Sequence, residues 1–174
     1  MTLKSRYVYR GKIINVRVDE FETVSKQYMK EIVEHPGAVA IIPILDSGKI
    51  IMIKQYRYAV KRELIEVPAG TIENGEKPEE CAYRELIEET GYIAGEIFKI
   101  AEFYLAPGYS EEVLHLFIAR KLVKGGAKPE IGEKIESVMA ISLNEAIEMV
   151  RRGEIRDAKT ICALYYLLLN KFKH

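Results

Sequence analysis

The segment from Pro78 to Gly91 constrains this chain more than any other, because its ends and its faces are both written in residue types that favour one local structure. Pro78 suits the first position of a helix, Glu79 and Glu80 complement the positive end of the helix dipole, and Gly91 suits a left-handed cap. The expected helix runs from about Pro78 to Thr90. At 100° per residue, Ala82, Tyr83, Leu86, Ile87 and Thr90 cover a core stripe, and Glu85, Glu88 and Glu89 gather on the adjoining flank. Like charges at these spacings cost roughly 0.2–0.5 kcal/mol per pair, so a sequence shaped by stability alone would interleave lysines. A hard divalent cation removes the repulsion, and carboxylates without nearby His or Cys suit Mg²⁺ or Mn²⁺, which also bind phosphates. The rival reading is a solvated helix face, with Arg84 pairing to Glu88 at i,i+4.

The rest of the chain supplies a mixed scaffold. Residues 1–37 read as short alternating strands, with Ile14, Val16 and Val18 on one face and turns near Gly11 and Ser25-Lys26. Ala38 to Leu45 and Lys49 to Tyr56, joined by Asp46-Ser47-Gly48, predict a buried hairpin. Glu63 to Val67 is a further strand ending at Pro68, with a loop from Ala69 to Lys77. Strands are expected over about 97–105, 113–122 and 135–141, around a turn at Ala106-Pro107-Gly108-Tyr109-Ser110. Ser142 with Glu145 forms a capping box, and Gly153 closes that helix. Asp157 caps a final helix bearing Ile161, Leu164, Tyr165 and Leu168. This order predicts an α+β fold, with a small N-terminal antiparallel element (1–37) ahead of a main domain (38–174).

Composition removes several classes of function. Hydrophobic residues make up 48% and charged residues 30%, which excludes a disordered chain, and no apolar run approaches the length of a membrane span. Basic and acidic residues number 26 each, so no overall field favours nucleic acid or a membrane surface. The N-terminus lacks the apolar stretch of a secretory signal, and a cytoplasmic location is expected. Cys81 and Cys162 lie far apart and read as buried small hydrophobes. Neither they nor Ser110 have evident His-acid partners for nucleophilic catalysis, and His35 and His115 read as ordinary strand or loop residues.

Gly70, Glu76 and the run Arg84-Glu85-Leu86-Ile87-Glu88-Glu89-Thr90-Gly91 reproduce the spacing GX5EX7REUXEEXGU, where U is aliphatic. The chain thereby resembles the Nudix hydrolases. Seven fixed matches would arise by chance in a chain this long with a probability on the order of 10⁻⁷, which sets aside the solvated-face reading. The one departure is Tyr92 at the final aliphatic position.

The resemblance implies an α/β/α sandwich with a mixed sheet, metal ligation by Glu85, Glu88, Glu89 and the Ala69 carbonyl, and supporting roles for Gly70, Glu76, Arg84 and Gly91. Gly70 is expected to free the backbone for a close turn. Pro107, 16 residues beyond Gly91, resembles the mark of the ADP-ribose pyrophosphatase subfamily, as do Gln55-Tyr56-Arg57-Tyr58, the stretch Glu63 to Gly70, and Ile155 to Thr160. That subfamily implies Mg²⁺-dependent cleavage of ADP-ribose to AMP and ribose 5-phosphate, with Arg57 on the diphosphate and Glu66 nearby. It further implies a glutamate outside the box acting on water, with Glu133 favoured over Glu130 and Glu136, and a homodimer whose N-terminal sheet brings Tyr28 to the base. The alternatives are another substrate, a GDP- or ADP-hexose or a dinucleoside polyphosphate, and a non-catalytic sensor of the same fold. No ligand carboxylate is missing and no helix-turn-helix is appended, which disfavours the sensor.

Overall fold

The computed structural model describes residues 2–24, 26–125 and 135–170. Its elements in chain order are β1 (Thr2–Arg10), β2 (Asn15–Glu22), β3 (Gln27–Glu34), β4 (Ala38–Pro43), β5 (Ile50–Arg57), β6 (Arg62–Glu66), β7 (Ala69–Thr71), α1 (Pro78–Thr90), β8 (Tyr92–Tyr104), β9 (Val113–Lys124), β10 (Ile135–Ile141), α2 (Leu143–Arg151) and α3 (Ala158–Asn170). The first three strands form their own antiparallel sheet, β1-β2-β3. The remainder form two sheets, β7-β4-β9-β8 and β10-β5-β6, with β4 and β9 running parallel and the other pairs antiparallel. No described helix is long and apolar enough to cross a membrane.

The alternation of β4 creates the layers. Val39 and Ile41 enter a core with Cys81, Ala82 and Leu86 of α1, while Ala40 and Ile42 enter a second core with Ala146 and Ile147 of α2 and Ala163 and Leu164 of α3. One helix therefore covers one face and two cover the other, as in an α/β/α sandwich. All four β4 side chains are fully buried, and burying an isoleucine is worth roughly 1.5–3 kcal/mol, so a polar residue at any of them would break a layer.

The expected hairpin of β4 and β5 is not what forms. The two strands share a single bridge, Ile44 to Ile50, and then part into different sheets. Both edges of β4 are already filled, by β7 on one side and β9 on the other, which leaves β5 to pair with β6 and β10. The expected loop at Ala69-Gly70 is likewise a short strand, β7, paired with Ala38 to Ala40.

Local signals place the helices as expected. Gly91 caps α1 at φ 73°, its N–H donating to the Ile87 carbonyl at 2.9 Å. The Ser142 hydroxyl accepts from Glu145 N–H at 3.2 Å, and Gly153 follows α2 at φ 72°. Asp157 caps α3, its carboxylate accepting from the Thr160 N–H at 2.9 Å and the Thr160 hydroxyl at 2.6 Å. The buried stripe of α3 is Thr160, Ala163, Leu164 and Leu167, not the expected one through Tyr165 and Leu168, which are over a third exposed. Cys162 is exposed as well, and only Cys81 is buried.

Asp157→Ala should lower stability by about 1 kcal/mol, or roughly 2–4 °C in Tm, with Asp157→Asn keeping most of it. Thermal melts followed by circular dichroism check this; equal Tm for all three proteins would remove the cap from the account.

Candidate active site

Two of the three clustered glutamates lie inside the protein. Glu85 and Glu89 are 5% and 1% exposed, while Tyr83, expected in the core stripe, is 37% exposed. The buried set of α1 is Cys81, Ala82, Glu85, Leu86, Glu89 and Thr90. The helix is thus rotated so that its acidic flank faces β7. Burying a carboxylate costs several kcal/mol unless partners compensate, so the partners define the site.

Those partners are Arg84 and the backbone of β7. Glu89 accepts the Ala69 N–H at 2.8 Å. Glu85 lies against the Cα of Gly70, where an added Cβ would sit 1.8 Å from a carboxylate oxygen. Gly70 is not among the residues at positive φ, so it is required for space and not for the turn expected of it. Arg84 donates to Glu85 at 2.7 Å, Glu88 at 3.1 Å, both oxygens of Glu76 at 2.8 and 3.0 Å, and the Thr71 carbonyl at 3.2 Å. These bonds tie the loop after β7, the helix and the strand together. They also keep the guanidinium firmly protonated and pull the Glu76 carboxyl down to about 2.

The acid edge is therefore partly compensated by one arginine, which bonds Glu85 and Glu88 as well as Glu76, and this differs from the uncompensated cluster expected from the sequence. As the side chains stand, no group of three or more His, Cys, Asp or Glu is arranged around a common cation position among the described residues. The chemistry of the donors nevertheless fits a hard divalent ion, since Glu85 and Glu88 on Arg84 and Glu89 beside Ala69 offer oxygen alone, with no sulfur or imidazole among them.

Across β7 lies a second buried ion system. Glu66, 1% exposed, accepts a two-pronged hydrogen bond from Arg57 at 2.9 and 2.6 Å, and Lys159 meets the same carboxylate. Lys159 also pairs with Asp157 at 3.0 Å. Burial pushes the Glu66 carboxyl up, but the Arg57 hydrogen bonds and the Lys159 charge outweigh it and hold the group below its usual range.

A cavity of about 950 Å³ opens between these systems and the N-terminal sheet, with Arg57, Ala69, Gly70, Arg84 and Glu85 on one side and Asn15, Glu34 and His35 on the other. A smaller one of about 330 Å³ shares Arg57, Ala69 and Gly70 and continues toward Glu112, Asp157 and Lys159. Arg57, Glu66, Ala69, Gly70, Glu76, Arg84, Glu85, Glu88 and Glu89 thus come together around β7.

Other expected residues do not join them. Tyr28 stacks on Phe21, ring centres 5.3 Å apart, at the end of the β2-β3 pair opposite to Asn15 and Glu34, and it lines neither cavity. Pro107 is exposed in the turn where Ala106 accepts from Tyr109 and Ser110, also outside both cavities. Glu130 and Glu133 lie outside the described residues. Glu136 occupies an irregularity in the pairing of β10 with β5, between the Ile135–Gln55 and Ser137–Lys54 pairs. The residues that sequence reasoning passed over are Lys159, Asn15, Glu34 and His35. Lys159 alone left a signal, a cation in the first turn of a helix where the dipole opposes it.

Comparison with known proteins shows the family and the fold. The NUDIX domain family matches residues 34–164. An ADP-ribose pyrophosphatase of Bacillus subtilis is 42% identical over 172 residues, 98% of this chain and 93% of that protein. A methanol dehydrogenase activator of Bacillus methanolicus is 37% identical over 176 residues, 99% and 95% respectively. A crystal structure of an ADP compounds hydrolase superposes with a TM-score of 0.83 at 22% identity, covering 98% of this chain and 95% of that one, a likeness of fold.

The depressed Glu76 carboxyl makes an acid-side prediction. Its ionic contribution is complete above its usual 4.5 and is lost as pH falls toward the folded value of about 2. The Tm gap between the native protein and Glu76→Gln should therefore shrink across that window. A gap constant from neutral pH down to about 2 would show that the Glu76–Arg84 pair does not set acid stability.

Proposed function

The chain belongs to the Nudix family of pyrophosphohydrolases, and on that premise we propose that it hydrolyses ADP-ribose to AMP and ribose 5-phosphate with Mg²⁺, or Mn²⁺ in its place. The observation that carries this reading is the placing of two buried glutamates, Glu85 and Glu89, against the Ala69-Gly70 backbone, with Glu85, Ala69 and Gly70 in the wall of a cavity that also presents Arg57. The near full-length identity to an ADP-ribose pyrophosphatase supports the choice of substrate.

In this reading Glu85, Glu88, Glu89 and the Ala69 carbonyl hold the cations. Bound divalent metal supplies neutralisation of the diphosphate charge and activation of water for attack on phosphorus. Water adds across the P–O–P bond: its oxygen joins the attacked phosphorus, the bridging oxygen departs with the other phosphate, and a glutamate takes the proton. Glu133 is the candidate for that glutamate by resemblance. Arg57 binds the nonbridging oxygens through a planar cationic donor set suited to phosphate. Arg84 and Glu76 keep the ligand helix seated on β7. Gly70 leaves space for Glu85, and Gly91 ends the helix.

The N-terminal element, residues 1–37, is proposed as the dimer interface, with the 44% exposed Tyr28 reaching the base in a partner's cleft and Pro107 bordering the substrate from its turn. A small nucleotide sugar, in place of nucleic acid or membrane, suits the equal count of basic and acidic residues, and the cytoplasm is the proposed location.

Release of phosphate after coupling to a phosphatase, with and without Mg²⁺, across ADP-ribose, GDP- and ADP-hexoses, NADH and diadenosine polyphosphates, tests the assignment. ADP-ribose should give the highest kcat/KM, and none should turn over in EDTA. A hexose nucleotide ranking first would replace the substrate and keep the chemistry. Glu89→Gln should cut kcat by at least about 10³, or roughly 4 kcal/mol of barrier, with Tm unchanged or raised. Undiminished turnover in that variant would remove Glu89 from the mechanism. Gly70→Ala meets only the tip of a side chain, so the fold should survive while Glu85 is displaced. Its kcat should fall at least tenfold, roughly 1.4 kcal/mol, with little change in Tm, and parental kcat would refute the role given to that close approach.

A further inference from the structure

Lys159 has the wrong charge for its place. It is the second residue of α3, where the helix dipole disfavours a cation by roughly 0.3–1 kcal/mol, and its side chain is only 13% exposed. Helix stability does not explain it. Nor does anchoring of α3, because Asp157 already caps that helix through Thr160, and the Thr160 hydroxyl accepts the Val67 N–H at 3.0 Å, linking α3 to the end of β6.

What Lys159 does reach is the Glu66 carboxylate, at the same Oε2 that accepts from one prong of Arg57. Arg57 and Lys159 carry two positive charges, Glu66 and Asp157 two negative ones, so the group is balanced. Without Lys159, Arg57 alone would face two carboxylates, and its charge toward the cleft would be cancelled. A buried carboxylate with one cation instead of two would also draw that cation inward.

Building on the function proposed above, we infer that Lys159 is a positioning residue for Arg57. It compensates Glu66 from the α3 side, so that the Arg57 guanidinium keeps its direction and is not outweighed by the two carboxylates when it meets the diphosphate of the substrate.

The test combines calorimetric binding of α,β-methylene-ADP-ribose in EDTA, steady-state kinetics on ADP-ribose with Mg²⁺, and thermal melts, for the parent, Lys159→Met, Lys159→Arg and the double variant Glu66→Gln/Lys159→Met. Lys159→Met should weaken binding and raise KM at least about tenfold, with kcat changed less than about threefold. Lys159→Arg should stay within about threefold of the parent. The double variant, in which the local charge is balanced again, should recover most of the lost affinity, a coupling that a purely structural lysine would not produce. Binding by Lys159→Met within about twofold of the parent overturns the inference, as does a loss that the double variant fails to relieve. Should Lys159→Met melt below assay temperature, the double variant decides: affinity near that of Lys159→Arg supports the inference, and affinity more than about tenfold weaker overturns it. A parent protein that neither binds the analogue nor turns over ADP-ribose would sink the functional reading and the inference together. Parental turnover with an indifferent Lys159→Met sinks the inference alone.

Discussion

Arg84 meets three carboxylates and a backbone carbonyl, and the arrangement of the site depends on that convergence. A guanidinium has five N–H donors in a rigid fork, and here they reach Glu76 twice, Glu85, Glu88 and Thr71. Together the bonds join three pieces of chain: the loop before α1, the helix itself, and the strand beneath it. A lysine at this position would supply the charge but not the geometry, since an ammonium has three donors and no plane. Loss of the arginine would leave buried or half-buried acids facing one another with no counter-charge, a change that costs far more than a surface ion pair is worth.

What could be read from the sequence divides along a physical line. The ends of α1 were legible to the residue, because Pro78 and Gly91 act on their own backbone. The last strand, Ile135–Ile141, was legible for the same kind of reason, its length and limits being local. The spacing of the acidic box was legible because a helix converts sequence interval into angle. The pairing of β4 and β5 was not, since it depends on whether β7 and β9 claim the edges of β4 first. Gly70 was misread as a residue needed for conformational freedom, because its real obstacle, Glu85, approaches from another element. Tyr83 lies outside the core stripe expected of it, because hydropathy marks an apolar face without fixing the helix's rotation about its own axis. Lys159 lies 93 residues from Glu66, and no local rule joins them.

The N-terminal sheet meets the cleft through a different kind of contact. Arg17 pairs with Asp19 and Glu34 within the sheet and with Glu111 beyond the β8 turn, while Val33 exchanges backbone hydrogen bonds with Tyr109 and Glu111. Among the described side chains of this sheet only Val18 and Asp19 are buried, so ion pairs and edge hydrogen bonds position it more than apolar packing does. Residues facing the cavity from this side, Asn15, Glu34 and His35, can therefore vary at less cost to the main core than residues of β4 or β9. A fold organised this way keeps the acid-bearing wall constant and leaves the opposite wall open to change. Proteins with different named roles, a pyrophosphatase and an enzyme activator, match this chain over almost its whole length.

The two ion systems matter together because of what separates them. Between the Glu66 group and the Arg84 group the chain runs through only Val67, Pro68, Ala69, Gly70 and Thr71, and most of that stretch is anchored, by three elements in all. Val67 donates to Thr160 of α3, Pro68 accepts from Ile41 of β4, Ala69 donates to Glu89 of α1, and Thr71 accepts from Arg84. The distance between the acidic edge and the Arg57 cation is consequently fixed by braced backbone, not by long side chains free to rearrange. Electrostatic stabilisation of a developing charge depends on donors and ligands being in place before the reaction begins, since moving them during it consumes the benefit. In the proposed reading, a diphosphate spanning that gap would meet the carboxylates proposed to hold cations at one end and the Arg57 guanidinium at the other. The short strand β7, which local sequence signals pass over as a loop, is thus the element through which the fold sets the geometry of the chemistry.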